Sequence, residues 1–249
     1  MLRGFGAVHH GENGPATTAV GINIVAVVSR VDGQRVWVKS TGEDSSGWIE
    51  LRDVLPLADA LPYFNSLISK NDRDWDAYLR RADAEHALNQ RSEATADYTR
   101  AIELAPNEAF LYLRRGRHYN TLKQCRDELS DFETAIRLAP SSAKQDYNLR
   151  AELYSLESGA YANCPDASYR DPELALSTAK RAVALDHSRP TLLTILAAAF
   201  ANSGNYKAAV KYQREAIESP TYPPGYLDDA KRQLDKYQQS LAAERTKGH

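Results

Sequence analysis

Four pairs of residues recur at a spacing of 34 positions: Tyr78 and Tyr112, Tyr98 and Phe132, Ala101 and Ala135, Pro106 and Pro140. Small and aromatic residues at fixed offsets inside helical segments, each unit closed by proline, fit a helix–turn–helix element repeated in tandem. Such an element cannot bury its apolar face alone and must stack on its neighbours. The period therefore constrains the chain to a helical solenoid.

Within the first unit, Tyr78 to Leu88 reads as one helix and Ser92 to Leu104 as a second. Ala82 is small where the first helix approaches its partner; Ala94 and Ala101 serve the second helix, with Tyr98 as bulk between them. Pro106 follows because it cannot continue a helix. Tyr112, Gly116, Tyr119, Phe132, Ala135 and Pro140 repeat these roles. Backwards by one period, Ala60, Phe64 and Ile68 suggest the second helix of a half repeat, with Asp59 as its cap and Pro62 in its first turn. Forwards, Ala135 reaches Ala182 after 47 residues and Ala182 reaches Ala216 after 34, so the third unit carries an insertion. That insertion is the polar loop Asn163 to Pro172.

This pattern resembles the tetratricopeptide repeat. With the loop Cys164-Pro165-Asp166 to Tyr169-Arg170-Asp171, it is similar to a bacterial subgroup in which such a loop interrupts the penultimate repeat and an SH3-like β-domain often precedes the solenoid. Departures are Glu128 and Gln213, where alanine and an aromatic are expected, and Arg150 at a small position. The resemblance implies a mostly α fold: a right-handed tetratricopeptide-repeat solenoid with a small N-terminal SH3-like β-segment, α+β overall. The expected organisation is a degenerate N-terminus at 1–18, the β-segment at 19–56, a solenoid at 57–222 and a capping helix and tail at 223–249. The solenoid divides into a half repeat at 59–72 and repeats at 75–108, 109–142, 143–189 and 190–222. Leu227, Ala230, Leu234, Tyr237 and Leu241 form the apolar stripe of the cap.

Before Asp53 the periodicity changes. Ile22 to Val28 and Arg35 to Lys39 are β-branched runs joined across Asp32-Gly33, a hairpin signal, and Gly47 to Leu51 follows as a third strand. No strand is evident in residues 1–18, and a three-stranded sheet this small needs support from the first helices. Trp37 and Trp48 are candidates for an aromatic peptide-binding shelf, or else for the core of this segment.

A net charge of −2 supplies no basic field for nucleic acid. No apolar run is long enough to span a bilayer, and residues 1–10 lack the form of a signal peptide. Cys125 and Cys164 fall in different repeats and set up no disulfide framework. A cytoplasmic location is the default expectation; a start upstream of Met1 would open a periplasmic or secreted one. His9, His10 and Glu12 lack the further ligands of a metal site. Ser177 and Lys180 have acyl-serine spacing without accompanying motifs. Cys164 has no nearby histidine except His187 and reads as a loop anchor. The arginine doublets Arg80-Arg81 and Arg114-Arg115 read as helix-face residues paired with acids. No enzyme, cofactor or metal is expected, and the oligomeric state is open.

In tetratricopeptide families the first helix of each unit lines the concave groove. Carried onto this sequence, the resemblance places Asp76, Leu79, Asp83 and His86 there, then Phe110, Leu113, Arg117 and Asn120. Lys144, Tyr147, Ala151 and Tyr154 follow, then Thr191, Thr194, Ala198 and Ala201. The paired lysines and asparagines of a carboxylate clamp are absent. The expected function is a non-enzymatic adaptor gripping a peptide or protein segment. The alternatives are a cell-wall or peptide binder acting through the β-segment, and an enzyme with a pocket at Cys164–Asp171.

Overall fold

Short β-branched runs build the N-terminal sheet, and 3.6-residue apolar patterning builds everything after Pro56. The structure, a computed structural model, describes residues 17–20, 25–32, 34–40, 46–50, 55–140 and 144–247. By density of internal contacts the chain divides into two units, Met1–Asn107 and Glu108–His249. The division falls inside the stretch expected to be one continuous solenoid.

In the first unit, strands β1 (Thr17–Val20), β2 (Val25–Asp32), β3 (Arg35–Ser40), β4 (Ser46–Glu50) and β5 (Leu55–Pro56) form an antiparallel sheet in the order β4-β3-β2-β1-β5. The sequence reading found three of these strands. It missed β1, which is four residues long, and β5, which pairs back onto β1 through Val20 and Leu55. β2 and β3 pair from Asp32 opposite Arg35, as a tight hairpin between them requires. β1 and β2 pack against the helices that follow, α1 (Leu57–Lys70) and α2 (Trp75–Ala87). Helix α1 starts two residues before Asp59, so Pro62 lies inside the helix instead of its first turn, and Asp59 is not the cap. Phe64, Ala60 and Ala84 form the core there, with Leu57, Leu61 and Leu67 around them. α2 is capped by Asp74, whose carboxylate accepts from the Ala77 N–H at 3.1 Å, and turns back into α3 (Arg91–Leu104).

The second unit begins with the hairpin α4 (Ala109–Leu122) and α5 (Cys125–Leu138). Helix α6 (Lys144–Asn163) then runs 20 residues, and a 3₁₀ turn at Ala167–Tyr169 leads to α7 (Pro172–Leu185). α8 (Pro190–Asn202) and α9 (Tyr206–Glu218) form the last hairpin, and α10 (Leu227–Lys247) covers α9 through Tyr237, which packs on Ala197 and Ala209. Three hairpins turn through a left-handed residue at one repeat position: Asn89 (φ 62°), Lys123 (φ 61°) and Gly204 (φ 79°). Glycine and asparagine take that conformation at little cost; lysine does so only because the surrounding helices demand the turn.

The departures from the repeat consensus are built in by hydrogen bonds. Buried Glu128 accepts from the Asn120 amide at 2.7 Å. Arg150 donates to the Ala139 carbonyl at 3.2 Å. Gln213, fully buried, donates to the Ala230 carbonyl at 3.2 Å, while its own carbonyl oxygen has no partner among the described residues.

The two cysteines overturn the expectation that they set up no disulfide framework. Cys125 and Cys164 are disulfide-bonded, with Cα atoms 6.0 Å apart, a separation that ordinary disulfide geometry accepts. The lengthened α6 is the cause. Its far end reaches the start of α5, and Cys164 follows its last residue.

Candidate functional site

The first-helix positions divide sharply by exposure. In the first unit, Leu79 is 3% exposed and belongs to the interior. Asp83 is buried and accepts from the Tyr98 hydroxyl at 2.6 Å. Neither has surface to offer a partner, which corrects the expectation for both. His86 is half-buried, and burial pushes its pKa below the usual value, with Asp83 opposing that shift. Asp76 is bonded to Arg80 at 2.7 Å.

In the second unit, Leu113 packs with Ala109, Phe132, Ala135 and Leu153 and is likewise interior. Tyr154 is 3% exposed: its ring lies 4.2 Å from the Arg181 guanidinium, and its hydroxyl accepts from Arg181 at 2.7 Å and Arg150 at 3.1 Å. Two arginines and close packing fix it as a structural residue, so it too drops from the binding set. What remains accessible on this unit is Phe110, Arg117, Asn120 and Tyr147. Phe110 is half-buried under Arg114, whose guanidinium sits 4.8 Å from the ring centroid. Arg117 on α4 forms an ion pair with Glu152 on α6. Asn120 is held by Glu128. Tyr147 is 41% exposed. On α8 the corresponding positions, Thr191, Thr194, Ala198 and Ala201, are small and at least partly exposed.

On the sheet, Trp37 and Trp48 are cross-strand partners. Their rings meet edge to face with centroids 5.5 Å apart, and Arg35 lies 5.4 Å from the Trp48 centroid. Trp48 is 41% exposed, whereas the neighbouring Val36 is fully buried. Alternation along β3 puts Trp37 on the face opposite Val36.

The insertion loop has no free thiol, since Cys164 is in the disulfide. Its acids are structural. Asp166 accepts from the Ser168 N–H and hydroxyl, which lowers its pKa. Asp171 caps α7 through the Glu173 and Leu174 N–H groups. Ser177 and Lys180 are exposed on α7, the lysine lying against Phe200. His9, His10 and Glu12 lie outside the described residues, among which no group of three or more potential metal ligands occurs. Nor is any described helix long and apolar enough to cross a membrane. One member of each arginine doublet closes its own hairpin: Arg81 reaches Asp97 at 2.5 and 2.8 Å, and Arg115 reaches Asp131 at 2.8 Å through two nitrogens.

Two features escaped the sequence reading. One is the disulfide. The other is a row of cations on α9, Lys207, Lys211 and Arg214, whose signal was their spacing of four and three residues.

Residues 76–108 and 190–220 match the tetratricopeptide repeat. The fold is a tetratricopeptide-repeat fold. Among solved structures, MamA residues 41 to the end from Desulfovibrio magneticus RS-1 is 20% identical, with a TM-score of 0.55 over 65% of this chain and 84% of that one. TTC0263, a thermophilic tetratricopeptide-repeat protein of Thermus thermophilus, is 20% identical with a TM-score of 0.52, covering 75% of this chain and 91% of its own. YrrB, described as having an unusual peptide-binding site, is 20% identical with a TM-score of 0.51 over 73% and 97%. No curated protein matches the chain.

Proposed function

We propose that this protein is a non-enzymatic interaction scaffold that holds a peptide segment of a partner on the first-helix face of the Glu108–His249 unit. Tyr147 carries the reading. It is a large aromatic side chain left 41% exposed on α6, where the Arg117–Glu152 pair joins α4 to α6 and α8 offers small residues at the matching positions. An exposed tyrosine on a helix face that also carries an arginine fits the tyrosine- and arginine-rich character of interface centres, and the small residues of α8 leave room for a bound segment. The repeat fold supports this reading, and so does the peptide site attributed to YrrB. The Cys125–Cys164 bond further supports work in an oxidising compartment in place of the cytoplasm. Mass spectrometry of protein alkylated at lysis would find two blocked thiols if that assignment is wrong.

A second reading rests on Trp48 and Arg35, a binding shelf on an SH3-like sheet. The five short antiparallel strands, with β5 returning to pair with β1, support a small sheet of that kind. One experiment separates the two readings. Peptides selected by display on the intact protein are measured by anisotropy against Tyr147→Ala and Trp48→Ala. Because Tyr147 is exposed, its truncation should leave melting unchanged while weakening the selected peptide by about 30-fold, the range of a hot-spot aromatic. Loss with Trp48→Ala alone would move the site to the sheet.

A further inference from the structure

We propose that the outward face of α9 is a second docking surface, shaped for an acidic amphipathic helical segment of another protein. Lys207, Lys211 and Arg214 stand on one helix face at spacings of four and three residues, so their charges follow the axis over about 10 Å. They border a depression of about 710 Å³ whose apolar lining is Ala208 and Val210 from α9 and Leu241 from α10. Among the described residues none of the three cations has an ion pair or a hydrogen bond; Lys211 only rests 5.1 Å from the ring centroid of Tyr212. In the hairpins α2–α3 and α4–α5, one arginine each is neutralised by an aspartate of the same hairpin, Arg81 by Asp97 and Arg115 by Asp131. Here three cations share a surface and, among the described residues, none is paired with an acid.

The two carboxylates in the lining give the surface direction. Glu215 is occupied by His187, whose Nε2 lies 2.7 Å from Oε1. Glu218 stands at the last turn of α9, beyond the cations. The fitting partner thus carries acids at the same three-and-four spacing, a leucine or phenylalanine for the floor between Val210 and Leu241, and no acid opposite Glu218. That is helix-in-groove recognition with charge complementarity at the rim. A nucleic acid or a phosphate-rich surface fits poorly. Phosphates make no use of an apolar floor, and three cations over about 10 Å are too few to hold a polyanion by phosphate contacts alone.

The test uses the full chain and a labelled synthetic peptide of about four helical turns, with glutamates at the matching spacing and leucine on the adjacent stripe. Anisotropy should show binding that weakens with salt. The triple variant Lys207→Gln, Lys211→Gln, Arg214→Gln alters only exposed side chains and should lose about tenfold or more in affinity. Leu241→Ala should weaken binding as well, whereas Tyr147→Ala should leave it untouched, which separates this surface from the first-helix face. The proposal fails on any of four results: no binding to the wild-type chain; equal binding by the triple variant; a scrambled peptide of the same composition binding as tightly; or an oligonucleotide or anionic vesicle binding more tightly through the same three residues.

Discussion

The hairpins α2–α3 and α4–α5 carry an arginine–aspartate pair at one repeat position, whereas α6–α7 and α8–α9 carry uncharged residues there, although Arg181 of α7 still bonds the Tyr154 hydroxyl of α6. Arg81 and Arg115 each reach an aspartate sixteen residues on. At the equivalent positions the later hairpins carry Leu149 with Thr178 and Leu196 with Tyr212. Thr178 turns its hydroxyl onto the Leu174 carbonyl of its own helix at 2.8 Å, and Leu196 joins an apolar cluster with Ala182, Leu192 and Leu193. The same helical hairpin is thus held by two chemistries. The charged one has a cost that can be seen in Asp131: burial holds its carboxyl above the usual range although Arg115 donates two hydrogen bonds to it.

The largest expected effect follows from that asymmetry. Replacing only Arg115, as Arg115→Leu, leaves Asp131 buried without its partner and should cost about 3–5 kcal/mol in urea unfolding. Adding Asp131→Thr, which copies the α6–α7 arrangement, should recover most of the loss, since an apolar substitute for a buried pair is commonly neutral. If the double variant is as unstable as the single one, the pair gives more than charge balance and the two chemistries are not equivalent.

The disulfide ranks next in expected effect, and it falls only on the second unit. It closes a separation of 39 residues, for which removal costs about 2–4 kcal/mol. Trp37, Trp48 and Trp75 all lie in Met1–Asn107, so tryptophan fluorescence reports that unit alone. Circular dichroism reports mainly the helices of the other. Cys125→Ala with Cys164→Ala should shift the dichroism transition and leave the fluorescence transition nearly in place. Equal shifts in both would show the units unfolding as one.

The phase of the repeat was legible because each contact recurs at a fixed offset, so that Tyr98 and Phe132, or Ala101 and Ala135, report one another's burial. Exposure along the first helices was not legible. Leu79, Leu113 and Tyr154 occupy nominal groove positions, yet each turns into its own unit, Tyr154 because Arg150 and Arg181 hold its hydroxyl. The disulfide was hidden for a related reason. A cysteine pair shows itself only when the length of α6 is known, and the insertion breaks the period at that point. Strand β1, with two threonines and an alanine in four residues, carries too little pattern to be seen alone.

Gly116 sharpens the packing side of the comparison. A Cβ at that position would stand 2.6 Å from Cε1 of Phe132, a ring that is fully buried and has nowhere to move. Gly116→Ala should therefore cost about 1–3 kcal/mol by overpacking, even though alanine is the better helix former. Ala82 fills this place in α2–α3, where Tyr98 replaces phenylalanine and is anchored by Asp83. An unchanged melting temperature for Gly116→Ala would show that α4 can draw back from α5.

The smallest effect concerns acids whose burial outweighs the pull of their nearest cation. Glu157 on α6 is raised to about 7, first by burial and then by Glu133, with Arg181 opposing. Its unfolded value is near 4.5, so between about pH 4.5 and 7 the folded chain binds a proton that the unfolded chain has released. Stability falls with rising pH across that window and levels off above it. The full shift overstates the effect, because partial solvation and the nearby guanidinium screen the charge; about 1 kcal/mol is expected for this residue. Glu85 in the first unit is raised to about 7 in the same direction, chiefly by burial and Asp97 with Arg81 opposing, and among the described residues one of its carboxylate oxygens has no hydrogen bond. Glu157→Gln keeps the shape and removes the charge. It should match the wild type at pH 5 and melt higher at pH 8, with the Glu85 share of the slope still present. A variant that follows the wild type at both pH values would mean that Glu157 keeps its charge when folded, through a closer approach of Arg181. In that case α6–α7 also uses an arginine–acid pair, and the division between charged and packed hairpins fails at that hairpin.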